Sequence, residues 1–169
     1  MPFTPFHFGP GAALHSAAPK RISFLAFCSA NVLIDVEPLY YLLSDQYPVH
    51  RFFHTYIGAT LVGIGAFVLF AVARAAAARI RLPNPFRWQQ LRLQAVAVGA
   101  GLGVYSHVFL DSFMHPDIKP LAPFSDANPL WKAIPVDVLY WFCVTAGAIG
   151  LVVIVLRRGA TGADDVHHH

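Results

Sequence analysis

The stretch LQAVAVGAGLGVYSHVFLDSFMH, residues 93–115, is apolar for most of its length and then carries His107, Asp111 and His115 at intervals of four residues. Four residues is slightly more than one helical turn, so in a helix these three side chains share one face. A charged side chain in the hydrocarbon costs about 2.5–3.5 kcal/mol on insertion scales. The stretch therefore predicts a membrane helix whose polar end is compensated by a binding partner.

The composition of the 169-residue chain is that of a membrane protein. Hydrophobic residues make up 56% and charged residues 12%, whereas soluble domains contain about 25% charged residues. This difference excludes an ordinary soluble domain. The basic residues do not follow a nucleic-acid-binding pattern, so we expect no nucleic-acid partner. No feature indicates a particular oligomeric state.

Four apolar segments predict an all-α integral membrane bundle with about four transmembrane helices. A full span needs about 20 residues, so the first segment spans only if VEPLYYLL (36–43) continues it. A shorter, glycine-containing segment at 8–18 precedes them and is predicted to be helical or re-entrant. The four segments are 22–34, about 56–73, about 91–110 and 138–156.

We expect one membrane-embedded domain over residues 1–158. Residues 159–169, GATGADDVHHH, form a polar tail without periodicity. The last three histidines resemble part of a purification tag and are left out of the functional interpretation.

The distribution of basic residues predicts the orientation. Five arginines lie within 74–92, and Lys20 with Arg21 precedes the first segment, whereas 44–55 holds only Arg51. Cytoplasmic loops carry the excess of Lys and Arg. We therefore expect 74–92 in the cytoplasm, and 44–55 and 112–136 on the outer face of the membrane.

Three groups of polar residues then meet at the extracytoplasmic side. Asp35 and Glu37 end the first segment, and the His107–Asp111 face ends the third. His50 and His54 open the second, and their four-residue spacing predicts that they share one helical face. Any one group alone is typical of a solvated helix end. Together they supply histidine nitrogens and carboxylate oxygens, which are the ligands of Zn²⁺ and other catalytic divalent ions.

These residues, in this order, resemble the LexA-regulated, membrane-bound, metal-dependent hydrolases (YdjM-like). The family pattern is an N-terminal His, D-x-D, HR-x-x-TH, SH-x-x-x-D and a proline-containing loop. The chain has His7 in TPFH, DVE at 35–37, HRFFHT at 50–55, SHVFLD at 106–111 and IKPLAPF at 118–124. The resemblance covers about residues 5–124 and implies a membrane-bound, metal-dependent hydrolase. It also implies that the chain is integral to the bacterial inner (cytoplasmic) membrane, with the site on the extracytoplasmic side.

Two positions depart from the family pattern. Glu37 stands where the family usually has Asp, and Phe53 replaces the Thr that precedes the second histidine. The ligand order is also loosely similar to that of zinc-dependent phospholipase C and P1-type nucleases. That similarity supports phosphoester chemistry by analogy only.

Each candidate residue has a predicted role in binding or catalysis. Glu37 and His115 are predicted to handle the proton, and Arg51 and Lys119 to bind an anionic substrate. His15 is a further candidate because it lies eight residues after His7. The predicted metal ligands are His7, Asp35, His50, His54, His107 and Asp111.

Six ligands exceed what one catalytic zinc needs, which favours two divalent ions with zinc as the preferred metal, although one ion is also compatible. The function predicted is hydrolysis of a phosphoester, in a membrane lipid or lipid-linked substrate, through a metal-activated water. Two alternatives stay open at this point. One is a non-catalytic metal- or haem-binding membrane protein, and the other is a transporter.

Overall fold

The computed structural model describes residues 4–166, with the side chains of 5–77 and 79–157, and in this part of the chain the regular structure is entirely helical. The predicted all-α class is confirmed. Three short 3-10 helices lie at Thr4–His7, Phe52–His54 and Pro85–Gln90. The α-helices are α1 Phe8–Ala17, α2 Phe24–Ile34, α3 Val36–Leu43, α4 Tyr56–Ile80, α5 Leu93–Met114 and α6 Val136–Val166.

Three helices of the described residues are long and apolar enough to cross a membrane, at Tyr56–Ala77, Leu93–Met114 and Val136–Arg157. The prediction of about four spans was wrong at its first segment. With 11 residues, α2 is about 16 Å long, roughly half of the hydrocarbon thickness. A break at Asp35 separates α2 from α3, and Pro38 explains it because proline cannot donate to the carbonyl four residues earlier.

The two short helices α1 and α2 form a hairpin. At the turn, His15 Nδ1 lies 2.7 Å from the Ile22 carbonyl oxygen, and the Arg157 guanidinium donates to the Ser16 carbonyl. The Ser23 amide donates to Ala95 near the start of α5 at 2.9 Å. The turn of the hairpin therefore lies next to the start of α5 and next to the end of the apolar part of α6. Its two open ends, at the start of α1 and the end of α2, lie at the opposite end of the bundle.

Glycines allow the hairpin to pack closely on the long helices. A Cβ on Gly103 of α5 would lie 2.6 Å from the Phe27 carbonyl oxygen of α2, and one on Gly9 of α1 would overlap the Cys143 carbonyl of α6. Small residues permit such backbone contact between membrane helices. The close approach of α2 to α5 brings Asn31 within reach of His107.

The interior and exterior of the bundle are both apolar, as expected in lipid. The core between α2, α4 and α5 includes buried Ala30, Ala59, Ala100 and Val104. On the outside, large apolar side chains such as Leu151 are more than half exposed. The bundle therefore presents a lipid-compatible surface, and its polar groups collect at one end.

The last helix extends beyond the predicted domain. It continues to Val166, so most of the segment predicted as a polar tail without periodicity lies in the helix. The terminal histidines at 167–169, interpreted as part of a tag, lie outside the described residues.

Candidate metal centre

Four side chains converge at the open end of the hairpin. Asp35 stands at the junction of α2 and α3, His54 ends the 3-10 helix before α4, and His107 and Asp111 lie one turn apart on α5. One donor atom from each lies within 4.8 Å of the other three. The two histidines and Asp111 are buried, and Asp35 is partly exposed. We call these four residues the first group.

The distances within the first group fit a tetrahedral ion. His107 Nε2 is 3.1 Å from Asp35 Oδ1 and 3.1 Å from Asp111 Oδ2. His54 Nε2 is 3.4 Å from His107 Nε2, 3.6 Å from Asp35 Oδ1 and 3.8 Å from Asp111 Oδ2. Four ligands at about 2.0–2.1 Å from a tetrahedral Zn²⁺ are about 3.3–3.4 Å apart. The first group could therefore hold a divalent metal with little movement.

The outer nitrogens of the two histidines face oxygen acceptors. His107 Nδ1 lies 3.1 Å from Asn31 Oδ1, and the Asn31 amide donates to the Phe27 carbonyl at 2.9 Å, which turns its oxygen towards the ring. His54 Nδ1 faces Glu37 Oε2 at 3.9 Å. Metal-binding histidines commonly present their second nitrogen to such acceptors. The arrangement favours tautomers whose Nε2 lone pairs point into the group.

His50, His115 and Asp111 form a second group, in which one donor atom from each lies within 4.8 Å of the others. The ring centroids of His50 and His115 are 4.3 Å apart. Asp117 accepts hydrogen bonds from the Val49 and His50 amides at 3.2 and 3.1 Å, and lies 3.0 Å from His50 Nδ1. Asp111 therefore belongs to both groups, and Asp117 fixes the orientation of His50.

The environment keeps the second group's histidines neutral. Burial lowers the pKa of His50 to about 4, assisted by His54 and His115 and opposed by Asp117. Burial likewise lowers the pKa of His115. For Asp117, burial raises the pKa, but the hydrogen bonds and charge of His50 lower it overall. A neutral imidazole beside an ionised carboxylate is the form that binds a metal.

Three buried atoms of the centre, namely His7 Nε2, His54 Nδ1 and Asp111 Oδ1, have no hydrogen-bond partner within the described residues. His7 Nε2 lies 3.3 Å from Asp111 Oδ1, and its Nδ1 lies 3.1 Å from His107 Nδ1. Neither metal-capable group includes His7. Buried polar atoms without partners call for an explanation, such as an ion, and coordination would supply one for Asp111 Oδ1.

The structure thus brings Glu37 and His115 to the centre together with the predicted ligands, which include His7. It places Arg51 on the Tyr41 ring, at 3.6 Å from its centroid, and Lys119 in an exposed ion pair with Asp126 at 3.0 Å. Their role as anion-binding residues stays a prediction. His15 contacts the Ile22 carbonyl oxygen at the turn of the hairpin. This turn is at the other end of α1 from His7, so His15 is not part of the centre.

His50 and His54 reach the centre by a different route from the one their spacing predicted. The four-residue interval indicated one helical face, but His50 lies in irregular chain and His54 ends a 3-10 helix. Thr55 caps α4 by accepting from the Gly58 amide at 2.9 Å, and Glu37 holds the Phe53 amide at 2.7 Å. These bonds, rather than a helical face, place the two rings.

Sequence reasoning missed Asn31 and Asp117. Both contact predicted ligands, and each carried a weak signal. Asn31 is a polar residue inside an apolar segment, four residues before Asp35 and so on the same helical face. Asp117 follows His115 and Pro116 directly, but nothing local indicates that it meets His50, which is 67 positions away.

Within the part of the chain that the structure describes, three candidate spans with a buried histidine and carboxylate cluster at one end define an all-helical membrane protein with a candidate metal centre. A sequence profile described as "YdjM inner membrane protein" matches residues 2–164. The chain therefore belongs to the YdjM inner membrane protein family, which confirms the resemblance drawn from its motifs and the inner-membrane location. No curated protein and no solved structure matches the chain.

Asn31→Leu tests the support of His107. The leucine fills similar volume but removes the acceptor at Nδ1, so we expect metal affinity to fall by about 10–100-fold while the protein stays folded. Equilibrium dialysis against buffered Zn²⁺ measures the change. Ser29→Ala, at an exposed position of the same helix, is the control. Unchanged affinity in Asn31→Leu would show that the amide has no part in the metal centre.

Proposed function

We propose that the protein is a membrane-bound, metal-dependent hydrolase that cleaves a phosphoester of a lipid or lipid-linked substrate. The observation that carries the proposal is the convergence of Asp35, His54, His107 and Asp111 at separations of 3.1–3.8 Å between the measured nitrogen and oxygen atoms. Mixed nitrogen and carboxylate ligands suit zinc and similar catalytic ions. Membership of the YdjM inner membrane protein family supports the membrane-bound part of the proposal, and the resemblance of the motifs to metal-dependent hydrolases supports the reaction.

The metal would be held by the first group, by the second, or by both. When bound, a divalent ion polarises a phosphoester oxygen and makes a water acidic enough to act as nucleophile near neutral pH. The protein's own residues would manage the proton. His115 is neutral and partly exposed, so its ring can accept a proton. Glu37, held by the Phe53 amide, can take the same role from the side of His54.

A groove beside the centre supports a lipid substrate. It encloses about 900 Å³. Val136 and Tyr140, which line it, belong to the first turns of a candidate span, so the groove lies at the membrane boundary and can take a polar head together with the start of an acyl chain. Its lining includes His50, Met114, His115, Asp117, Val136 and Tyr140.

The alternatives receive less support from the geometry. A transporter needs polar groups that continue through the membrane, but the core below the centre includes apolar Ala30, Ala100 and Val104. Haem ligation by paired histidines is disfavoured because two carboxylates share the first group, and carboxylates suit harder ions.

The proposal is tested by hydrolysis assays with purified protein in mixed micelles of long-chain phosphoesters. We expect release of phosphate or the head group that stops on chelation and resumes with added Zn²⁺. A Soret band in the visible spectrum, or metal-loaded protein that cleaves none of a broad phosphoester panel, would contradict it.

The proposed orientation is tested by cysteine labelling in intact cells. Phe86 in the arginine-rich loop and Phe124 in the proline-rich loop are both 87% exposed, so Phe86→Cys and Phe124→Cys form a matched pair in a chain with both native cysteines replaced by alanine. We expect a membrane-impermeant thiol reagent to label only Phe124→Cys, because arginine-rich loops stay in the cytoplasm. Labelling of Phe86→Cys alone would move the centre to the cytoplasmic side.

A further inference from the structure

We propose that His50, His115 and Asp111 bind a second, exchangeable divalent cation, and that this cation receives the anionic phosphate of the substrate. The inference rests on the proposed function and assigns a part in it to each group. The first group would hold a resident ion, and the second group would face the substrate. His115 then serves as a ligand, and the proton-handling role falls to Glu37.

The number of protein ligands separates the two groups. The first offers four converging donors and the second offers three. Zinc sites with four protein ligands are usually closed and structural, whereas catalytic sites keep a position open for water or substrate. The second group is therefore the one with room for a substrate oxygen.

The position of the groove agrees with this division. His50 and His115 both line it, and so does Asp117, whereas none of the first group does. A substrate phosphate that enters from the membrane boundary therefore meets the second group. The partly exposed His115 also gives an ion a route of exchange with water.

Asp111 belongs to both groups. Its Oδ2 lies 3.1 Å from His107 Nε2 in the first group, while its buried Oδ1 has no hydrogen-bond partner, with His7 Nε2 3.3 Å away. A carboxylate has two oxygens, so Asp111 could serve an ion in each group, as shared carboxylates do in two-metal sites.

Asp117 prepares His50 for this role. It fixes the His50 ring through Nδ1 and the backbone through the Val49 and His50 amides. The other ring nitrogen, Nε2, therefore remains available to bind a metal. This is the carboxylate–histidine arrangement that supports metal ligands. Asp117 is thus a positioning residue for the second ion.

Charge favours phosphate at the second group. Asp35 and Asp111 together balance one divalent ion in the first group. The second group shares Asp111 and adds two histidines, which bind a metal as neutral imidazoles, and the nearby Asp117 carboxylate offsets one of the two charges of a second ion. A second ion therefore leaves net positive charge beside the groove. A bound cation of this kind is often the largest local charge in its site, and phosphate is the matching ligand.

The test counts ions in full-length protein whose residues 167–169 are alanine. Equilibrium dialysis against rising free Zn²⁺ should give one tightly held ion per chain and a second that binds more weakly. His115→Ala and the more conservative His115→Gln should keep the first ion and lose the second, with at least a tenfold drop in affinity. Asp117→Asn should weaken only the second ion, by about 10–100-fold. His15→Ala removes a histidine outside the centre and should bind as wild type.

Inorganic phosphate serves as the probe of the open position. Wild-type protein should retain phosphate only when two ions are loaded, and His115→Gln should not retain it. A wild-type chain that saturates at one ion, a folded His115 variant that still binds two, or phosphate retention with one ion would overturn the second site while leaving a one-metal hydrolase intact. A wild-type chain that binds no ion would contradict the proposed function as well.

Discussion

Asp111→Asn should remove bound metal and hydrolysis together while leaving the protein folded. Asp111 is shared by both groups, so one substitution weakens every metal position. The amide keeps the volume but loses the anionic charge, and neutral amide oxygen is a weak zinc ligand. We expect metal affinity to fall by about 100-fold or more, beyond the usual range for residues that only support a ligand. Elemental analysis and thermal unfolding in detergent measure occupancy and folding.

Ser112→Ala is the matched control. Ser112 is the next residue of the same helix and is also buried, but its hydroxyl donates to the Val108 carbonyl at 2.6 Å, and one residue along a helix faces a different side from Asp111. It should keep metal and activity. Full metal occupancy in Asp111→Asn would mean that the four-residue spacing of His107 and Asp111 has no role in metal binding.

His54→Ala should have the second large effect. It removes one of the two nitrogens of the first group, and we expect that group's ion to bind about 100-fold more weakly or not at all. Loss of the His54 side chain creates a buried cavity beside Glu37. Free imidazole can fill this cavity and should restore part of the metal binding. Dialysis with and without imidazole measures both effects.

The control for His54→Ala is His15→Ala, which removes a histidine at the far end of the hairpin. Metal binding by His15→Ala should match that of wild type. If His54→Ala kept its metal, or if imidazole restored nothing in a folded variant, His54 would not be a ligand of the first group.

The sequence predicted the α5 face and its ligands because one helix carries them. His107 and Asp111 are one turn apart, so local periodicity is enough to place them together. The number of spans was not predictable in the same way. The segment at 22–34 has the composition of a span, and only its 11-residue helix and the break at Asp35 show that it is one arm of a hairpin.

The residues that orient the ligands do so through tertiary contacts, which no local sequence pattern indicates. Asn31 meets His107 because Gly103 lets α2 and α5 approach closely. Asp117 lies in the loop after α5 and contacts His50, although two spans separate the two residues in the sequence. His50 and His54 were predicted as ligands from their residue types, but hydrogen bonds in irregular chain, rather than their spacing, determine how they converge.

The central claim is that the cluster at the end of the bundle is a metal centre built from histidine and carboxylate ligands. X-ray absorption at the edge of the metal that copurifies with the protein, in a chain whose residues 167–169 are alanine, tests it most directly. We expect a divalent metal surrounded by nitrogen and oxygen, at about 2.0–2.2 Å if it is zinc. A sulfur shell at about 2.3 Å, or folded protein that holds no metal, would contradict it.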